Sequence, residues 1–317
     1  MQRVGRIDDA DVAAAYDAIG RDSPARIERL LPSDWSWAGK RVLDFGCGAG
    51  RTLRHFLPEA GEAEFYGCDI DAASIEWLAQ QLSPPLLVFR NGEEPGLPQR
   101  DDFFDLVYAL SVFTHVTDRW APWMVELQRV VKPGGLLIAT FLNEAHWPAY
   151  GDGPWDEDRI GMNVTKKWNP WDRGGPIVFL SEWWIRAHWG RAFDLVAVER
   201  RDPDSPEGQG AALLRAKAER PTVAELERPA DDPRELAAAR HNVEQLHREA
   251  EELFREVEWR KELEQKRAAV EAERDRLRAE VERLRGTLDA VSRSRSWRLT
   301  APLRGAVAAV RKRSTLP

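Results

Sequence analysis

Five short apolar runs, separated by stretches with helical patterning, divide the first part of this chain. Residues 41–45, 64–68, 86–89, 104–109 and 136–141 read as strands, and the segments between them carry a 3.6-residue period or helix starts. Such alternation specifies βαβ units, hence an α/β fold with a parallel sheet covered by helices on both faces. Two later runs, 193–198 and 211–215, are too close together for an intervening helix. They are expected to pair as an antiparallel hairpin at the sheet edge. Ahead of the first strand, 11–19 and 23–31 are expected to form two helices, the second capped by Ser23 with Pro24 at its first position.

A different pattern follows. Residues 218–233, with three prolines, read as a linker. Among the 56 residues of 234–289 there is no proline, and 13 basic and 15 acidic side chains alternate with apolar ones. The apolar positions recur every seven: Leu236, Val243, Ala250 and Val257, accompanied by Ala239, Leu246 and Leu253. After a one-residue slip the repeat resumes as Leu263, Val270, Leu277, Leu284 and Val291, with Val281 and Leu288. Residues 234–291 are therefore expected to be a coiled coil about 80 to 90 Å long that makes a homo-oligomer. Arg267 and Arg274 interrupt its seam, and a single solvated helix is the alternative.

Charge separates the parts further. The net charge of −7 opposes general nucleic-acid binding, yet residues 291–317 hold seven basic and no acidic side chains, leaving −14 for the rest. No run of about 18 apolar residues is present, residues 1–11 lack a secretory apolar core, and Cys47 and Cys68 make neither a disulfide framework nor a zinc site. A cytoplasmic protein without a resident metal is expected. The tail, 292–317, reads as a basic amphipathic helix, with Leu303, Ala306, Val307 and Val310 on one face and Trp297 nearby. That composition suits peripheral attachment to an anionic membrane surface.

The chemistry is concentrated after the first strand. In Val42-Leu43-Asp44-Phe45-Gly46-Cys47-Gly48-Ala49-Gly50-Arg51 an apolar strand meets an acid and a G-x-G-x-G turn, with a helix expected from Thr52. A dinucleotide turn needs G-x-G-x-x-G, and Arg51 occupies its third glycine position. The next strand ends at Asp69, 21 residues after Gly48, where an acid can accept from both hydroxyls of a ribose. Ile70 would offer an apolar face to an adenine, and the Asn91-Gly92-Glu93 turn could meet its amino group. Helix capping is the alternative role for Asp44 and Asp69.

LDFGCGAGR, CDID, FDLVYALSVFTHV and VKPGGLLIAT, in this order, resemble the class I S-adenosylmethionine-dependent methyltransferases over about 39–215. The resemblance implies a Rossmann-like seven-stranded sheet, order 3-2-1-4-5-7-6, within a domain of residues 39–217 and behind an N-terminal helical cap at 1–38. It implies S-adenosylmethionine as cofactor, with Gly46, Cys47, Gly48 and Gly50 under the methionine part and ribose, and Asp44 near the amino group. Asp69 would hold the ribose hydroxyls, with Ile70, Asn91, Gly92 and Ser111 completing the cofactor site. His115 and His146, beyond the fourth and fifth strands, are candidate bases for a hydroxyl acceptor. His188, inside an expected helix, is structural.

Seven of the 14 tryptophans lie between Trp147 and Trp189, among glycines. An insert there covers the mouth of such a site, and Trp147, Trp155, Trp168 and Trp171 are candidates to hold a sugar ring; Trp183, Trp184 and Trp189 are expected to pack as core. The tail sequence SxSWRLTAPLR, following a coiled coil, resembles bacterial surface-polysaccharide enzymes and, with the methyltransferase segment, the O-antigen chain-terminating methyltransferases. That second resemblance implies a glycan or lipid-linked saccharide acceptor at the inner membrane face, with glycosyltransferases as further partners. A small-molecule methyltransferase dimerised by its rod, or a non-catalytic scaffold, are the alternatives.

Overall fold

The computed structural model describes residues 10–151, 153–171, 174–201 and 208–314. The first nine residues of the expected cap and the last three of the tail lie outside them. Two compact units are present, residues 1–249 and 250–317.

In the first unit the chain runs α1 (Ala10–Leu30), β1 (Arg41–Phe45), β2 (Glu64–Asp69), α2 (Ala72–Gln81), β3 (Leu87–Arg90), β4 (Phe104–Ala109), α3 (Trp120–Val130), β5 (Val131–Phe141), α4 (Trp147–Tyr150), β6 (Met162–Thr165), β7 (Ile177–Leu180), α5 (Glu182–His188), β8 (Phe193–Glu199), β9 (Gly210–Ala216) and α6 (Val223–Glu227), ending in the start of α7 (Arg234–Arg293). The main sheet has seven strands in the order β3-β2-β1-β4-β5-β9-β8. β1 to β5 are parallel, while β9 runs antiparallel to both β5 and β8. The last two sheet strands carry the numbers eight and nine because an additional hairpin, β6–β7, precedes them as a separate two-stranded sheet.

Alternation along each strand divides the core into two layers. Leu43, Phe45, Val107, Leu137, Ala139 and Phe141 face α3, α5 and the hairpin, whereas Val42, Leu106, Tyr108, Leu136 and Ile138 pack with Ile27 of α1 and Leu78 of α2. Both faces of the inner strands are thus dry, which is why those strands read as continuous apolar runs.

Four local expectations change. The two N-terminal helices are one, because Ser23 does not cap: its hydroxyl donates to the Ile19 carbonyl one turn back at 2.6 Å, and Pro24 sits inside the helix. The glycine-rich turn leads into a 3₁₀ segment, Leu53–Phe56, rather than an α-helix. Gly134 and Gly135, expected between helix and strand, lie inside β5, where the β4–β5 register shifts. The linker is not featureless, since Thr222 and Glu225 form a capping box on α6 and Leu226 is fully buried.

The start of α7 packs on the first unit through Ala238 and Leu246. Within the second unit it continues as an exposed helix, followed by α8 (Arg295–Leu299) and α9 (Ala301–Ser314). Val257, Leu263, Val270, Leu277, Val281, Leu284, Leu288 and Val291 are all exposed. Ion pairs one turn apart, such as Arg260–Glu256 and Arg283–Glu280, line the same helix. Ser294 caps α8, and Arg304 of α9 lies 3.6 Å from the centroid of the Trp297 ring. No helix among the described residues is long and apolar enough to cross a membrane.

Candidate functional site

The site forms at the carboxyl ends of β1, β2 and β4. Parallel strands end there with free backbone groups, and the connecting turns converge. The glycine-rich turn folds back on β2: the amides of Gly46 and Cys47 both donate to the Cys68 carbonyl, at 2.9 and 3.0 Å. Gly46 has φ +82°, and a Cβ there would stand 2.4 Å from Val112, so the turn admits no side chain at this position.

Asp69 closes the arrangement. One carboxylate oxygen accepts the Gly48 amide and the other the Asp71 amide, each at 2.8 Å. The acid therefore stitches the glycine turn to the β2–α2 turn, and each oxygen keeps a second lone pair for a ligand hydroxyl. On the next strand end, the Asn91 side chain donates to the Gly92 carbonyl at 2.9 Å, while its Oδ1 is buried without a hydrogen-bond partner. A buried acceptor is stabilised by a donor, and the exocyclic amine of an adenine is one. Asp69, Ile70, Asn91, Gly92 and Gly46 line a single cavity of about 270 Å³ together with Phe45, Glu93, Ser111, His115 and Trp171.

Asp44 lies beneath this wall, 3% exposed. Burial pushes its carboxyl up to about 8, against the pull of the Arg51 guanidinium. The buried Tyr108 hydroxyl faces the same carboxyl without reaching hydrogen-bond geometry. A cation placed nearby would ionise Asp44. The thiols of Cys47 and Cys68 are also pushed up by burial, so both are neutral and their role is packing.

Ser111 adopts φ +60°, its amide donating to Thr140 Oγ1 at 2.7 Å. The hydroxyls of Ser111 and Thr140 both donate to Oε1 of Gln209 in the β8–β9 connection, at 3.1 and 2.7 Å. Helix α1 leans on the outer side of the turn: a Cβ on Gly20 would stand 2.2 Å from the Arg51 carbonyl, and Tyr16 lies 5.7 Å from each of the Arg51 and Arg54 guanidiniums.

His115 Nδ1 is 2.7 Å from the Pro176 carbonyl, which can only accept, so Nδ1 carries a proton and the neutral ring has its lone pair on Nε2. His146 is placed elsewhere, at the start of α4 and outside the cavity lining. The tryptophans divide similarly. Trp171 lines the cavity, its ring 6.0 Å from that of His115. Trp168 is half exposed and does not line it. Trp147, 1% exposed, is surrounded by Trp155, Ile160 and Phe179, and its indole donates to the Gly153 carbonyl at 3.0 Å. Neither face of Trp147 is open to a sugar; together with Trp155 it forms the core under the hairpin. Trp183, Trp184 and Trp189 are buried in the main core, and buried His188 ties the Leu226 carbonyl to Glu235.

Several lining residues are given no site role by the sequence, although Val112 and Val116 fall within FDLVYALSVFTHV. Val112, Val116 and Trp123 form the apolar wall, and Thr117, Asp118 and Arg119 the rim. They belong to the β4–α3 connection and the first turns of α3, where periodicity predicts a core-facing helix but not which residues border a cavity. No cluster of His, Cys, Asp and Glu able to hold a metal occurs among the described residues.

Residues 43–139 match the family model described as a methyltransferase domain. Over 129 residues the chain is 30% identical to phthiotriol/phenolphthiotriol dimycocerosates methyltransferase 1 of Mycobacterium ulcerans, a match covering 41% of this chain and 46% of that one. Over 164 residues it is 30% identical to a ubiquinone biosynthesis O-methyltransferase of Rhodopseudomonas palustris, covering 49% and 61%. The chain thus spans about half the length of the curated relatives it matches. Among solved structures, an S-adenosylmethionine-dependent methyltransferase from Mesorhizobium loti superposes with a TM-score of 0.50 at 19% identity, covering 63% of this chain and 99% of the other. These likenesses show a Rossmann-like methyltransferase fold for the sheet domain.

Proposed function

We propose that this chain is an S-adenosylmethionine-dependent methyltransferase that O-methylates a sugar of a cell-surface glycan, presented as a lipid-linked saccharide at the cytoplasmic face of the membrane. The observation that carries the cofactor is the pairing, in one cavity, of the Asp69 carboxylate with the unsatisfied Asn91 Oδ1. Asp69 would take the ribose hydroxyls and Asn91 the adenine amine, with the Gly46–Gly50 turn leaving room for backbone approach. The methionine end would lie toward Asp44, whose ionisation a ligand cation favours. Bound there, S-adenosylmethionine supplies a methyl group already activated by its sulfonium.

The protein's own contribution is then to hold an acceptor hydroxyl in line and to receive its proton. His115 suits the second task, because the Pro176 carbonyl keeps the lone pair at Nε2. Val112, Val116, Trp123 and Trp171 give the acceptor side an apolar wall, and Thr117, Asp118 and Arg119 give it polar edges. That mixture suits an amphiphilic acceptor. A lipid acceptor without sugar is the second reading, and the names of the relatives, which include a fatty-acid O-methyltransferase of Mycolicibacterium smegmatis, favour it.

The exposed heptad positions of the second unit support homo-oligomerisation through a coiled coil. Exposed Trp297, Leu299, Leu303 and Val307, set among arginines, support attachment to anionic lipid, and the membrane would bring the enzyme to glycosyltransferases acting on the same saccharide.

The test has two arms. Calorimetry with S-adenosylmethionine should show saturable binding, and its absence overturns the enzyme reading. Transfer of labelled methyl to lipid-linked saccharides, compared with long-chain lipid alcohols, separates the two acceptor classes.

A further inference from the structure

The hairpin β6–β7 reaches the cavity through the described residues of the loop between its strands, 166–171 and 174–176. Trp171 of this loop lines the cavity, and its last carbonyl, that of Pro176, accepts from His115. On the β7 side the hairpin is anchored to the same segment as His115, since the Val178 amide donates to the Thr114 carbonyl at 2.8 Å. Among the described residues the outer edge of β6 has no further strand beside it. Three side chains of α7 take that place: Asn242 Oδ1 accepts the Val164 amide at 2.8 Å, Gln245 Oε1 accepts the buried Asn163 amide group at 2.6 Å, and the Glu249 carboxylate accepts the amides of Lys166 and Lys167 at 2.9 and 3.3 Å. Positions 242, 245 and 249 share one helix face.

The Glu249 contact differs from the other two. Lys166 has φ +52°, a conformation that turns two successive amides toward one anion, as in a backbone nest. The chain therefore leaves β6 in a bend held from α7 by this carboxylate and from within by a turn, the Asn169 amide donating to the Lys166 carbonyl at 2.9 Å. Another tie on the loop, Lys167 Nζ to Asp118 at 3.0 Å, involves an aspartate that is largely exposed and so is screened by water.

We propose that Glu249 is a positioning residue for the reaction: by fixing the bend at Lys166–Lys167 it sets Trp171 and Pro176 at the cavity, and through the Pro176 carbonyl it holds the His115 imidazole with its lone pair at Nε2. The first turns of α7 thus belong to the catalytic unit, and the residue that grips the loop stands immediately before the heptads of the second unit. The role assigned to His115 rests on the methyltransferase reading, whereas the geometric link from Glu249 to the imidazole does not.

The experiment uses the full chain with ¹⁵N-labelled histidine, the His115 signal being identified by its loss in His115→Gln. In the unsubstituted protein the ring nitrogens should report a single tautomer protonated at Nδ1. Glu249→Ala should give a tautomer mixture and amide exchange at least about tenfold faster at 166–171 and 174–175, with kcat falling about tenfold and the cofactor KM unchanged. Glu249→Gln, which keeps one acceptor oxygen, should fall between the two, and it decides the matter if Glu249→Ala does not fold. Faster exchange with an unchanged His115 tautomer would reduce Glu249 to a structural tie and overturn the proposal. Failure of the unsubstituted protein to bind S-adenosylmethionine would overturn the methyltransferase reading alone, since the tautomer measurement needs no cofactor.

Discussion

Asp44 and Asp69 are both buried acids at strand ends, yet their surroundings give them opposite tasks. Asp69 accepts two backbone amides, whereas burial holds the Asp44 carboxyl at about 8. With the folded value above the unfolded one of about 3.9, the native state binds the extra proton between those limits. Stability from this group is therefore full below about pH 4 and declines by at most about 1.4 kcal/mol per pH unit as the pH rises toward 8. Asp44→Asn should flatten that part of the profile, so its Tm should exceed that of the parent at pH 8.5 more than at pH 5. Binding of the cationic cofactor at pH 7 should release about one proton, visible as a dependence of the calorimetric enthalpy on the buffer's ionisation heat; no such dependence would mean that Asp44 does not answer the ligand's charge. Asp69→Asn keeps one acceptor oxygen, and its loss of a charged hydrogen bond, worth about 1.5 to 3 kcal/mol, should weaken cofactor binding about 10- to 100-fold. Both acids were legible in the sequence because each ends an apolar strand, where side-chain direction follows from position. Val112, Trp123 and Arg119 were not, since their place at the cavity depends on how the β4–α3 connection turns, and Ser111 at φ +60° begins that turn.

The same distinction holds for whole elements. Each of the seven strands of the main sheet overlaps an expected apolar run, although β5 begins earlier, at Val131. The inner strands are legible because burial on both faces leaves an unbroken apolar signature, whereas the edge strands β3 and β8 keep exposed positions. Hairpin β6–β7 was missed: four-residue strands set among tryptophans and glycines carry little periodicity, and their edge is completed by side chains of α7 more than 75 residues later. Ser23-Pro24 is a good helix start, yet tertiary contact overrides it and α1 is a single helix. Ile27 is fully buried, and Arg26 pairs with Glu199 at 3.0 Å. Segment 218–233 illustrates how proline-rich composition conceals packing. Its α6 buries Leu226 completely against the layer that holds α3. Leu226→Ala should cost about 2 to 5 kcal/mol, read as a lower midpoint in urea unfolding with an unchanged slope. A change below about 0.5 kcal/mol would show that the segment is a linker after all.

At the scale of the whole chain, two accounts of α7 meet. From Arg234 to Glu249 its inward face is polar as well as apolar, with Ala238, Asn242, Gln245 and Glu249 turned to the first unit, while Leu236 and Val243 of the seven-residue repeat stay exposed. From Val257 to Val291 the repeat is exposed throughout, and ion pairs along the helix add to its backbone hydrogen bonds. Such pairs contribute about 0.2 to 0.5 kcal/mol each and can sustain a solvated helix. They do not explain why Leu263, Val270, Leu277 and Leu284 stand seven apart, since solubility alone would place polar residues there. A second copy, as proposed above, would account for it, with Arg267 and Arg274 lowering the stability of the middle of the seam. Leu277→Asp combined with Leu284→Asp should therefore convert an oligomer to a monomer in sedimentation equilibrium while leaving cofactor affinity within about twofold, because both positions lie outside the catalytic unit. If the parent chain is already a monomer at micromolar concentration, the repeat serves another partner and the homo-oligomer is excluded. If the double variant remains an oligomer, association proceeds through the first unit. In both of those cases residues 250–293 lose their role in joining copies, and attachment through the tail would have to act one chain at a time rather than through linked anchors.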